Sequence, residues 1–165
     1  MIYRDENNTC TIELPETAIS NLHDKFAQAG LTDYLSDVDW IVETSDSVML
    51  IEYKNTDIEN VRNPEAFYEK IKNDKLIEKL RKKYYGGVFY SLACKTEKPI
   101  DYICIIEATK LDRVWRKKLT AKIKRGLPYK LQELPEIEAT LIHKCQVLSI
   151  AEWNEQYSEF PLKAL

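Results

Sequence analysis

The amino-acid sequence predicts an α/β (α+β) fold, with a mixed β-sheet core flanked by helices. Three observations predict it. Apolar runs of strand length recur at 40–42, 48–51 and 100–106. Between them, apolar residues return at helical spacing, as in Ile19, Leu22 and Phe26. Only 4 glycines and 6 prolines punctuate 165 residues that are 44% hydrophobic and 31% charged, which excludes a linker-rich or disordered chain.

Taken in order, residues 11–14 read as a short extended segment. Pro15 suits the first position of a helix over about 15–29, with Glu16 in its first turn and Gly30 as its stop. Residues 40–43 and 48–54 read as two strands joined by the polar turn 44–47. Asn63 and Pro64 open a helix carrying Phe67 and Ile71. Its apolar phase then shifts to Ile77, Leu80 and Tyr84, so two helices, or one kinked helix, meet near Asn73 and Asp74 and end at Gly86-Gly87. Residues 88–93 and 100–106 read as further strands. A helix over 110–125 carries Leu111, Trp115, Leu119 and Ile123 on one ridge, and 138–148 reads as the last strand. Ser149 and Glu152 have the spacing of a capping box for a final helix.

The length suits one domain, residues 1–165, able to bury a core without staples. No run approaches the ~20 apolar residues that span a membrane, residues 1–6 lack the apolar stretch expected of a secretory signal, and the cytoplasm is the expected location. Four widely spaced cysteines (Cys10, Cys94, Cys104, Cys145) form no pair motif, and only His23 and His143 are present. Both facts argue against a disulfide framework and a structural zinc site. A metal here would be a hard cation held by oxygen.

Chemistry enters through strand geometry. Side chains alternate along a strand, so Leu50, Glu52 and Lys54 share one face. Folding the hairpin about the 45–46 midpoint sets Val42 against Met49, Ile41 against Leu50, Trp40 against Ile51 and Asp39 against Glu52. Two carboxylates then stand opposite each other, about 4.5–5.5 Å apart at Cβ. Burying such a pair uncompensated costs several kcal/mol, whereas Mg²⁺ or Mn²⁺ between them turns the cost into binding. Such an ion activates water toward phosphorus and offsets charge on phosphoryl oxygens, and Lys54 on the same face can stabilise the developing negative charge. Among 27 acids, Glu52 alone is followed at i+2 by lysine, which raises the value of an otherwise weak motif.

Asp39, twelve residues, then Glu52-Tyr53-Lys54 at the end of an apolar strand resembles the PD-(D/E)xK, or restriction-endonuclease-like, nuclease superfamily. The resemblance covers roughly residues 15–95 and implies a core over about 15–107 with a helix–strand–helix extension over 108–165. It implies Asp39 and Glu52 as metal ligands joined by the backbone carbonyl of Tyr53, Lys54 as catalytic lysine, and Glu16 from the first helix as a further ligand. Asp24 lies nearer the solvent side of that helix. Two departures stand out. Val38 rather than proline precedes Asp39, and the family's first strand must be very short or be replaced by residues 11–14. Asp37 is an alternative ligand, or a partner for Lys54. The implied function is hydrolysis of phosphodiester bonds in DNA, with a homodimer cutting both strands; the alternative is an inactive binding module on the same fold.

The net charge of −3 conceals an asymmetry. Residues 110–130 hold nine basic side chains against one acid, Asp112, and so carry +8, leaving −11 on the rest. Lys124 and Arg125 suit a helix C-terminus. Lys110, Arg113, Arg116 and Lys117 share one side of the helical wheel and, with Lys124, are the candidate nucleic-acid contacts. His23 and His143 read as structural or surface residues. Trp40, Trp115 and Trp153 read as core, and Tyr84 and Tyr85 as packing residues.

Overall fold

The computed structural model describes residues 1–56 and 64–165; Asn63, expected at the helix entry, and the side chain of Phe67, expected on that helix's apolar face, lie outside the described residues. A four-stranded sheet forms the centre. It contains β3 (Trp40–Glu43), β4 (Val48–Asn55), β5 (Ile100–Glu107) and β6 (Lys144–Leu148) in that order. The β3–β4 pair is antiparallel, and β4–β5 and β5–β6 are parallel. A second, antiparallel sheet joins β1 (Ile2–Arg4), β2 (Cys10–Glu13) and β7 (Leu162–Ala164) in the order β1-β2-β7.

The central sheet is buried on both faces, which is why its strands read as apolar runs. Ile41, Leu50, Tyr102 and Cys104 pack against α1 (Leu22–Gln28), α2 (Pro64–Lys72), α3 (Lys75–Ala93) and α4 (Arg113–Lys124). Trp40, Met49, Ile51 and Ile103 pack on the other side against the small sheet and Trp153 of α5 (Ile150–Gln156). Among the described residues no helix is long and apolar enough to cross a membrane, and all four cysteines are free.

The hairpin register is the one expected, with Trp40 opposite Ile51, Ile41 opposite Leu50 and Val42 opposite Met49. The break between α2 and α3 falls at Asp74, whose φ of 60° ends one helix before the next begins. The Ser149 capping box forms with both reciprocal bonds, at 3.1 and 3.0 Å.

Other elements differ from expectation for identifiable reasons. The first helix begins at Leu22, not at Pro15. Residues 15–18 make a turn closed by the Ala18 N–H on the Pro15 carbonyl, and Ile19 then exchanges two 2.9 Å backbone hydrogen bonds with Ile41. Those bonds require extended backbone. Residues 88–93 are not a strand, because α3 runs unbroken through Gly86-Gly87 to Ala93. The two glycines permit close approach instead: a Cβ on Gly86 would lie 1.7 Å from the Ser36 carbonyl oxygen, and one on Gly87 2.9 Å from Leu50 Cδ1. The last core strand begins at Lys144 rather than 138, since the Gln132 amide satisfies both the N–H and the carbonyl of Ile142 at 2.9 Å. Helix α4 starts at Arg113, after Asp112 caps the Trp115 N–H at 2.9 Å. Trp115 is not core but 44% exposed. The edge strands β1 and β7 were not anticipated; each has three residues, too few to show a period.

Candidate active site

Glu52 points from β4 toward the helical layer, where its carboxylate is only 1% exposed. An isolated charge there would be costly, and two ammonium groups compensate it. Lys54, two residues on and on the same face, lies 3.0 Å from Oε1. Lys83, in the third turn of α3, lies 2.8 Å from Oε2. Both lysines keep contact with solvent, with side chains 22% and 14% exposed.

Asp39 stands immediately before β3, at the mouth of the same hairpin. Continuing the β3–β4 register sets it against Glu52. Its Oδ2 accepts the Tyr53 N–H at 2.7 Å, which fixes the carboxylate at the strand end. The N–H and C=O of one strand residue leave the chain on the same side, so the Tyr53 carbonyl faces the Asp39 edge as well. Burial, then the Glu52 charge, push the Asp39 pKa up to about 7, against the opposing pull of Lys83, the Tyr53 N–H and Lys54. Burial works against the charge of Lys83, but Glu52 and Asp39 outweigh it and hold its pKa above the ordinary lysine range. Lys79, one turn earlier on α3, is held below that range by Lys54, then by its own burial.

The structure thus brings Asp39, Glu52 and Lys54 together and adds Lys83. The expected helix already held Lys79 and Lys83 at i, i+4, but nothing in their spacing tells which strand residue that side of the helix meets, and only the packing of α3 on β4 brings Lys83 to Glu52. Glu16 does not join the site. It sits in the exposed turn before Ile19, which pairs with Ile41, so chain direction carries Glu16 away from Asp39. Asp37 is paired with His23, Nδ1 to Oδ1 3.1 Å, and not with Lys54. The hydrogen bond and charge of Asp37 raise the His23 pKa. Glu6, His23 and Asp37 each offer one ligand atom within 4.8 Å of the others. They line a cleft of about 140 Å³ that Asp39 also lines.

A donor set of two carboxylates and a carbonyl fits a hard divalent cation, which Asp39, Glu52 and the Tyr53 carbonyl would hold. The chemistry is oxygen throughout. The competitor is Lys83, which already holds one Glu52 oxygen.

The basic helix divides its charges. Arg113, Lys117 and Lys124, at i, i+4 and i+11, line a groove of about 300 Å³ between α4 and the β6–α5 segment. Arg116 lines it too, but its guanidinium forks onto Glu152 at 2.9 and 3.2 Å and donates to the Leu111 carbonyl at 2.5 Å, a structural engagement. Lys110 lies on the opposite flank, 2.8 Å from Glu65. Of the five expected contacts, three therefore line one groove and, among the described residues, are held in no salt bridge. Comparison of the chain with protein-family models, curated proteins and solved structures found no match.

Proposed function

We propose that the chain is a Mg²⁺- or Mn²⁺-dependent nuclease that hydrolyses phosphodiester bonds in DNA, on a restriction-endonuclease-like fold. One observation carries the reading: two carboxylates, Asp39 and Glu52, converge on one face at the mouth of the β3–β4 hairpin, with Lys54 beside them. The order of elements supports it as well. A helix, an acid-bearing antiparallel hairpin, further helices and a strand parallel to β4 follow one another.

A bound divalent ion would supply Lewis-acid stabilisation of the phosphoryl oxygens and a water of lowered pKa. The chain's own residues do the rest. The Tyr53 N–H holds Asp39 in place, and Lys83 compensates Glu52 from above. Lys54, the more exposed of the two lysines, faces negative charge developing at phosphorus. Arg113, Lys117 and Lys124 grip the phosphate backbone, a contact blind to sequence and weakened by salt. A homodimer would present one such site to each strand.

Incubation of supercoiled and branched DNA with Mg²⁺ or Mn²⁺ tests the reading, with RNA in parallel. Wild type should cleave, and Lys54→Ala and Asp39→Asn should not. Equal activity in all, or none in wild type, sinks it. A second reading, a binding module without catalysis, is favoured by the occupation of both Glu52 oxygens by ammonium groups. Mn²⁺ titration separates the two: a catalytic site binds the ion and loses it on Glu52→Ala, whereas a closed ionic network binds none.

A further inference from the structure

The flank of α4 that faces α2 carries a feature the proposed cleavage site does not use. Trp115 is 44% exposed, whereas Trp40 and Trp153 are both buried. The indole lines two clefts of about 220 and 190 Å³ and so stands between them. Buried Ile71, Leu111 and Leu119 form the apolar inner walls of these clefts. The charged residues along them are Lys72, Lys110, Lys118, Lys122, Arg125 and Glu65. Lys110, Lys72 and Lys122 are held in solvent-exposed pairs by Glu65, Glu69 and Asp74 at 2.8, 3.3 and 2.8 Å, so cations still exceed carboxylates there, and such exposed pairs are weak enough for a phosphate to replace. Lys118 Nζ lies 5.0 Å from the ring centroid, where the ring's negative face attracts it.

We propose that Trp115 is a stacking platform for an unpaired base of single-stranded nucleic acid, whose phosphates the surrounding lysines and Arg125 neutralise. The proposal rests on nucleic acid being the partner, as in the function above, but not on cleavage. Three properties of the surface select this occupant. A flat indole between two clefts accepts the face of any base once the exposed Lys118 side chain swings from the ring to a phosphate. The excess of cations fits a polyanion and repels a basic peptide. The apolar inner walls suit a ring edge better than a hydrated carboxylate. Duplex DNA does not fit the platform, because its bases are already stacked on one another. Together with Arg113 and Lys117 on the other flank, α4 offers a backbone grip on one side and a base contact on the other.

Because Trp40 and Trp153 are buried away from any ligand, quenching of tryptophan emission on binding reports on Trp115. The full chain, in EDTA at low salt, is titrated with short oligo(dT) and oligo(dA), with the annealed duplex, with polyglutamate and with phosphatidylserine vesicles. The single strands should quench emission, an effect removed by salt and absent with the duplex. Trp115→Ala and Trp115→Phe lack the reporter and are read by filter binding beside wild type: Trp115→Ala should weaken single-strand binding about five- to a hundredfold, while Trp115→Phe retains most of it. Lys118→Glu, a change at an exposed position, provides a second variant and should weaken binding too. Unchanged affinity in both Trp115→Ala and Lys118→Glu would overturn the proposal, as would equal quenching by polyglutamate or by vesicles. Binding that survives Trp115→Ala but falls on Lys117→Glu would leave the nuclease reading intact and remove the platform. Binding lost on Trp115→Ala in a chain that never cleaves DNA would do the reverse.

Discussion

Lys83 Nζ lies 2.8 Å from Oε2 of Glu52, and the two residues come from different elements, α3 and β4. The contact answers a question that the strand pattern raises. A carboxylate placed at 1% exposure needs a counter-charge, and the helix provides one even without an ion. Any divalent cation entering the site therefore competes with an ammonium group already in place.

Lys83→Met tests that competition. Removing the ammonium leaves half of a buried carboxylate to Lys54 alone, and the expected loss is about 2–3 kcal/mol of unfolding free energy. Urea unfolding with and without Mn²⁺ is the measurement. If Asp39 and Glu52 hold the ion, Mn²⁺ stabilises the variant more than wild type, because the competitor is gone.

The site also sets a pH dependence. The Asp39 pKa is pushed up to about 7, first by burial and then by Glu52. Between the ordinary carboxylate range and that value the folded state binds more protons than the unfolded chain, so this residue makes stability fall as pH rises through that window. Asp39→Asn removes the charge and keeps an oxygen to accept the Tyr53 N–H. Urea unfolding should show the variant more stable than wild type above about pH 7, by on the order of 2 kcal/mol, with the difference vanishing near pH 4.

Helix α3 makes its own prediction. Gly→Ala inside a helix ordinarily gains up to about 1 kcal/mol. At Gly86 the new methyl would lie 1.7 Å from a backbone oxygen of Ser36, and backbone cannot step aside. Gly86→Ala should cost more than ~3 kcal/mol. At Gly87 the obstacle is the Leu50 side chain at 2.9 Å, which can turn, so Gly87→Ala should fall within ~1 kcal/mol of wild type. Thermal denaturation of the pair decides it.

Arg116 and Lys117 are sequence neighbours with different duties. Arg116→Ala breaks a forked pair with a half-buried Glu152, whose pKa the arginine holds below its ordinary range despite partial burial. It should cost about 1–3 kcal/mol of stability. Lys117→Glu lies at an exposed position on the groove and should leave stability within ~0.5 kcal/mol. It should instead weaken DNA binding and flatten its salt dependence. Filter binding across a salt series, beside urea unfolding of both variants, checks the division.

What the sequence alone determined was local. Period-two alternation and a polar turn placed Glu52 and Lys54 on one face of β4 and set Asp39 against Glu52, because an antiparallel hairpin with a short turn has one register that buries its apolar residues. The capping box of α5 and the break at Asp74 were legible for the same reason: each is written within a few consecutive residues.

Tertiary structure decided the rest. Pro15 looks like a helix start until Ile19 finds Ile41 as a backbone partner, and Gly86-Gly87 looks like a helix end until Ser36 and Leu50 claim the space beside it. Lys83 became a partner of Glu52, and Arg116 a partner of Glu152, only when distant segments packed together. Trp115 shows the same effect in reverse: its helical position suited the core, but α2 and α4 leave a crevice rather than a closed contact there. Spacing along a chain sets which side chains share a face. Which faces meet, and which charges are therefore paired, depends on contacts between residues far apart in sequence, and those exist only in the folded chain.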